Sequence, residues 1–164
     1  LLDTQYQIPT LKEVLELSTT QKYLIETKQN FKDGLLEKAT YELLKTYQGE
    51  YAIQSFNPYS VQWFYLNAPE VIRGQLGCSF KGNKEYSASQ KKLYRTLEIN
   101  KISQPHFVNY FFKETTNKVI MKARETMLIL GWTVRSQKEY QKYEKYLDNI
   151  TFENFKPTRR KNGI

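Results

Sequence analysis

The side chains with the most chemistry to offer lie in Leu24-Ile-Glu-Thr-Lys28. The run changes character at every residue, so on an extended strand Leu24, Glu26 and Lys28 share one face and Tyr23, Ile25 and Thr27 the other. A carboxylate and an ammonium two residues apart then point the same way at the charged end of the strand. Carboxylate oxygen suits a hard cation and a compact ammonium suits a phosphate, although an isolated pair of this kind also serves as a solvent-facing ion pair. The other reactive types are scarce. Cys78 is the single cysteine, which excludes an internal disulfide framework and a cysteine-based zinc site. His106 is the single histidine; it stands in Gln104-Pro-His-Phe107, ahead of an apolar run, and reads as a residue at the start of a strand rather than a base.

The elements that must position these residues belong to one domain. A chain of 164 residues, 40% hydrophobic and 15% aromatic, is long enough for one core. It is short of the about 250 residues of a complete (β/α)8 barrel. Its 25 basic and 17 acidic residues leave a net charge of +8, a field that favours phosphorylated ligands, anionic membranes or nucleic acid without choosing among them. No run approaches the about 18 apolar residues of a membrane span, and no basic-then-apolar signal segment opens the chain. Because residue 1 is Leu and not Met, a native amino terminus with its anchor or signal is expected to lie outside this sequence. Cytoplasm or a membrane surface is the expected location, ahead of secretion.

Thr10-Leu-Lys-Glu13 has capping-box spacing and opens a predicted helix over 10–20. A strand over 23–28 follows, then a helix over 31–48 whose stripe is Phe31, Leu35, Leu36, Ala39, Leu43, Leu44 and Tyr47, with Gly49 placed to stop it. Strands are predicted over 51–56, 71–76, 107–111, 128–134 and 149–152. Asn57-Pro58 caps a helix that carries Val61, Trp63 and Phe64, and Ser136-Gln-Lys-Glu139 opens another with Tyr140, Tyr143 and Leu147 inward. Strands alternating with helices mean a parallel sheet. Residues 77–105 interrupt the rhythm and read as a long loop and helix excursion with few apolar groups to bury, lying over the active-site edge of the sheet. The basic tail, 156–164, is expected to fray.

Four of these segments together resemble the glycerophosphodiester phosphodiesterase family. Ile8-Pro-Thr-Leu-Lys-Glu-Val-Leu15 is similar to that family's IPTLEEVL helix, Leu24-Ile-Glu-Thr-Lys28 to its LIEIK strand, Gln54-Ser-Phe-Asn-Pro58 to its QSFNP turn and Leu130-Gly-Trp-Thr-Val134 to its GWTV strand. They occur in the family's order across nearly the whole chain. The resemblance implies an α/β fold, an incomplete TIM barrel of about six parallel strands whose first two strands are missing. It implies a phosphoric diester hydrolase of lipid and glycerol metabolism that cleaves glycerophosphodiesters to an alcohol and glycerol 3-phosphate. In those terms Glu26 is a metal ligand for Ca²⁺ or Mg²⁺, Lys28 contacts the substrate phosphate, and Gln54, Phe56 and Trp132 line the substrate pocket. Trp63 reads as a packing residue.

The chain also departs from the family. The HRG strand, the E-x-D metal pair and the later HD are absent from it, so the divalent metal is expected only in an intact protein and this chain alone is expected to be inactive. The alternative is a non-catalytic remnant, a half-barrel that keeps an anionic-ligand pocket. Its open sheet edges would suit self-association or pairing with an amino-terminal segment. Nucleic-acid binding has only the net charge and 13 tyrosines behind it, and no such partner is expected.

Overall fold

The computed structural model describes residues 5, 7–29 and 32–158. Six strands form one parallel sheet in sequence order: β1 (Tyr23–Glu26), β2 (Tyr51–Ser55), β3 (Ile72–Gly77), β4 (Phe107–Phe111), β5 (Leu128–Val134) and β6 (Asn149–Phe152). The helices are α1 (Leu11–Glu16), α2 (Leu35–Leu44), α3 (Pro58–Asn67), α4 (Ala88–Arg95), α5 (Asn100–Ser103), α6 (Lys118–Ala123) and α7 (Gln137–Tyr143). The Thr10 capping box forms as expected, and the Asn57 side chain accepts the Tyr59 N–H beside a proline at the first turn of α3. Ser136 caps α7, but its box is half made: the Glu139 carboxylate accepts the N–H of Arg135 and pairs with Lys113 instead.

The inner face of the sheet carries the signature of a barrel. Register aligns Gln54 with Gly74 and then with Phe107, yet the Gln54 amide accepts from Asn109, two residues further along β4, at 2.9 Å. Asn109 aligns through Leu130 with Asn149, yet it reaches Thr151, again two residues further, at 3.2 Å. A slip of two residues for every two strands is one per strand. This is the stagger that closes eight tilted strands into a TIM barrel, whose interior layers draw on alternate strands. The six strands are therefore a curled, incomplete TIM barrel, as the motifs implied. Gly74 makes room in it, because a Cβ there would lie 2.1 Å from the Phe107 ring.

The core sits between the outer sheet face and the helices. Ile53 packs with Leu15, Leu44, Phe64 and Val71 at one end of the sheet, and Val108, Tyr110 and Ile129 with Ile120, Tyr140 and Leu147 at the other. On the inner face Leu24, Ile72 and Leu128 stay 41–59% exposed, since no strand lies opposite them.

Several expectations need correction: the first helix is Leu11–Glu16 and not 10–20, and the first strand ends at Glu26 and not at 28. The second helix is Leu35–Leu44 and not 31–48; it is entered through Gly34 at φ 72°, and Phe31 lies outside the described residues. Its stripe is also rotated. Leu35 and Leu36 face solvent while Glu37, Thr40 and Leu44 are buried, because Leu44 joins the core and Glu37 accepts a hydrogen bond from Gln29. The excursion between β3 and β4 buries more than its composition promised. Tyr94 and Ile99 are in the interior, and Phe80 stacks on Tyr86 with centroids 4.0 Å apart. It is tied over the carboxyl ends of the strands by the Tyr94 hydroxyl donating to the Phe56 carbonyl at 2.6 Å, and by the Ser79 N–H donating to Glu114 at 2.7 Å. The tail beyond Thr158 lies outside the described residues.

Candidate functional site

A cleft of about 770 Å³ opens at the carboxyl ends of β1 and β2. One wall is the end of β1 and the segment after it, with Glu26, Lys28, Gln29 and Lys32; the floor is Ser55 to Tyr59; the other wall is the excursion, with Glu85, Tyr86, Gln90, Leu93 and Tyr94. Local hydrogen bonds hold the two strand ends together. Ser55 Oγ donates to the Thr27 carbonyl at 2.7 Å, the Thr27 and Ser60 hydroxyls lie 2.7 Å apart, and Asn57 Nδ2 donates to the Gln29 carbonyl at 3.2 Å. Behind this, Gln29 Nε2 donates to Glu37 at 2.5 Å. Glu37 is fully buried, and its second carboxylate oxygen has no hydrogen-bond partner among the described residues. Sequence reasoning missed Glu37 because a charged residue in an amphipathic helix is ordinarily turned outward.

Glu26 and Lys28 both border the cleft. Lys28 Nζ is 3.7 Å from Glu26 Oε2, with Lys28 78% exposed and Glu26 28% exposed. Such a pair contributes little to stability, so the ammonium is free to turn to an anion in the cleft. Phe56 is on the floor and meets the ring of Trp132 edge-on at 5.4 Å. Trp132 lies behind Phe56, its indole N–H donating to the Asn109 carbonyl at 2.9 Å and its ring against Phe111. Gln54 is buried deeper, in the polar layer with Asn109 and Thr151, where the Asn109 carbonyl oxygen of the side chain is left without a partner among the described residues. The strands thus bring Glu26, Lys28 and Phe56 to one cleft and place Gln54 and Trp132 on the same inner face beneath and beside it. Trp63 packs against Tyr41 and Phe64.

No three His, Cys, Asp or Glu side chains converge among the described residues. A hard divalent cation takes about six oxygen ligands, and the carboxylates lining the cleft are Glu26 and, on the opposite wall, Glu85, so these residues do not by themselves fit the metal. His106 sits at the other end of the barrel, just before β4, where its Nδ1 accepts the Arg73 N–H at 3.2 Å. Burial, and then the Arg73 charge, hold it below the ordinary histidine value.

No protein-family model matches the chain, and no curated protein sequence does. Solved structures do. A phosphodiesterase from Oleispira antarctica, in complex with the product sn-glycerol-3-phosphate, superposes with a TM-score of 0.65 at 19% identity, over 88% of this chain and 57% of that one. Glycerophosphodiester phosphodiesterases from Thermotoga maritima and Parabacteroides distasonis each superpose with a TM-score of 0.61 at 17% identity, over 88% of this chain and 59% of theirs. The chain thus spans 57–59% of the length of these three. In its fold, this chain resembles these phosphodiesterases over a little more than half of their length.

Proposed function

We propose that this chain is the carboxyl-terminal part of a phosphoric diester hydrolase that cleaves glycerophosphodiesters to an alcohol and glycerol 3-phosphate. The observation that carries the reading is the meeting of Glu26, Lys28 and Phe56 at one cleft on the carboxyl edge of a TIM-type sheet, the edge where barrel enzymes build their sites. In this reading Lys28 neutralises the substrate phosphate, most strongly as charge develops in the transition state, and Phe56 packs against the glycerol or the alcohol. Glu26 supplies a single carboxylate, and a Ca²⁺ or Mg²⁺ ion would need further oxygen ligands beside it. A second reading, a non-catalytic half-barrel that keeps an anionic-ligand pocket, is favoured by His106 standing at the opposite end of the strands from the cleft.

The test is to assay the purified chain, and a version extended upstream in frame, on glycerophosphocholine with Mg²⁺, Ca²⁺ or EDTA. The chain alone is expected to be silent and the extended protein to turn over with a metal. Lys28→Ala should lower kcat/KM by about 10²-fold, and Glu26→Gln should weaken the metal dependence. Activity in the extended protein that is indifferent to both changes would remove the site from this cleft.

A further inference from the structure

The excursion is one of the basic segments of the chain. Residues 77–104 contain Lys81, Lys84, Lys91, Lys92, Arg95 and Lys101 against Glu85 and Glu98, a net of +4 out of the chain's +8. Elsewhere many cations are engaged: Lys22, Lys45, Lys113, Arg124 and Arg135 hold carboxylates, and Lys32, Arg73 and Lys142 lie over aromatic rings, while Lys38, Lys118, Lys122, Lys138 and Lys156 stand singly in other parts of the chain. None of the six excursion cations has an ion pair or a ring contact among the described residues. On α4 the charge is also one-sided. At about 100° per residue, Lys91, Arg95 and Lys92 span an arc of about 100°, while Gln90, Leu93 and Tyr94 turn to the cleft on the opposite side.

We propose that the outer surface of this excursion is a docking face for an anionic lipid bilayer, bringing the mouth of the cleft to the membrane surface. Charge complementarity argues for an anionic partner, because unpaired exposed lysines around one edge repel each other unless a counter-surface neutralises them. The side chains argue for lipid over nucleic acid. Five of the six cations are lysines, point charges rather than the bidentate forks that read phosphate and guanine geometry. The aromatic rings of the excursion are committed to one another, with Phe80 on Tyr86 at 4.0 Å and edge-on to Tyr94 at 4.9 Å, leaving no free platform for stacking bases. This inference does not depend on catalysis, and binding is measured without it.

The experiment is co-sedimentation of the purified 164-residue chain with vesicles of phosphatidylcholine alone and of phosphatidylcholine with phosphatidylglycerol. Binding is expected only to the anionic vesicles and should fade as salt shortens the screening length. Replacing Lys84, Lys91 and Lys92 together with Gln should lower the partition coefficient about a hundredfold, since each basic side chain at such a surface is worth about fivefold. The control removes the same charge at the other end of the strands, Lys22→Gln, Lys45→Gln and Lys122→Gln, and should change binding by only a few-fold; circular dichroism confirms that both variants fold. Equal losses in the two variants would reduce the effect to net charge and overturn the proposal. So would absence of binding to the anionic vesicles, or a preference for duplex DNA or RNA that needs the same three lysines.

Discussion

Gly74 offers the sharpest test of the barrel interior. Its Cα hydrogen faces the ring of Phe107, and a Cβ in that place would lie 2.1, 2.2 and 2.7 Å from three ring carbons. An ordinary contact is about 3.5–4.0 Å, so in Gly74→Ala the ring must retreat by more than an ångström. Phe107 is only 5% exposed, but the inner face beside it is open, with Ile72 and Leu128 more than half exposed. The ring's way out is therefore into water. Giving up a buried phenyl costs about 1.5–3 kcal/mol, which a gain of about 0.5 kcal/mol from a stiffer unfolded chain only partly offsets. Gly74→Ala should thus destabilise the chain by about 2 kcal/mol, read as a lower urea midpoint at unchanged slope. Phe107→Ala alone should cost about 3–5 kcal/mol. With the ring gone, Gly74→Ala should be neutral or mildly stabilising, giving a coupling of about 2 kcal/mol in the double-mutant cycle. Strictly additive effects, or a Gly74→Ala chain as stable as the parent, would refute the packing argument.

Two further outcomes are expected from the structure. Glu37→Ala strips Gln29 of its buried acceptor and should lower the unfolding free energy by about 1–3 kcal/mol, whereas Glu37→Gln keeps a carbonyl oxygen for that bond and should cost less; equal losses would deny the hydrogen bond a role. His106 has a folded-state value below its unfolded one, so the unfolded chain binds the proton more readily and stability should fall as pH drops through the usual histidine value of about 6.5. The urea midpoint should decline between about pH 7.5 and 5.5, and this decline should shrink in His106→Gln; an undiminished decline would assign it to other groups.

Much of the architecture was legible in the sequence, because each cue is a local property of the chain. The alternation of period-two and helical stretches sets the six parallel strands, since a strand and its crossover helix each announce their own period. Thr10, Asn57 and Ser136 announce helix starts through side chains that act within three residues. The facing of Glu26 has the same local origin, because a strand sends alternate residues to one face without reference to the rest of the fold, whereas Lys28 lies past the end of β1 and reaches the cleft from the segment that follows.

What depends on distant partners was not legible. The phase of α2 is decided by Leu44 in the core and by Gln29 reaching Glu37, so the helix buries a carboxylate and exposes Leu35 against its own pattern. The excursion looked polar because its glycines, serines and lysines outnumber its apolar residues, yet Phe80, Tyr86 and Tyr94 find each other and the Phe56 carbonyl only when β2, β3 and α4 are brought together. The polar layer of Gln54, Asn109 and Thr151, and the seat of Trp132 behind Phe56, follow from a one-residue stagger per strand. That stagger belongs to the curl of the sheet as a whole, since strand twist and tilt accumulate across neighbours and no single segment encodes them.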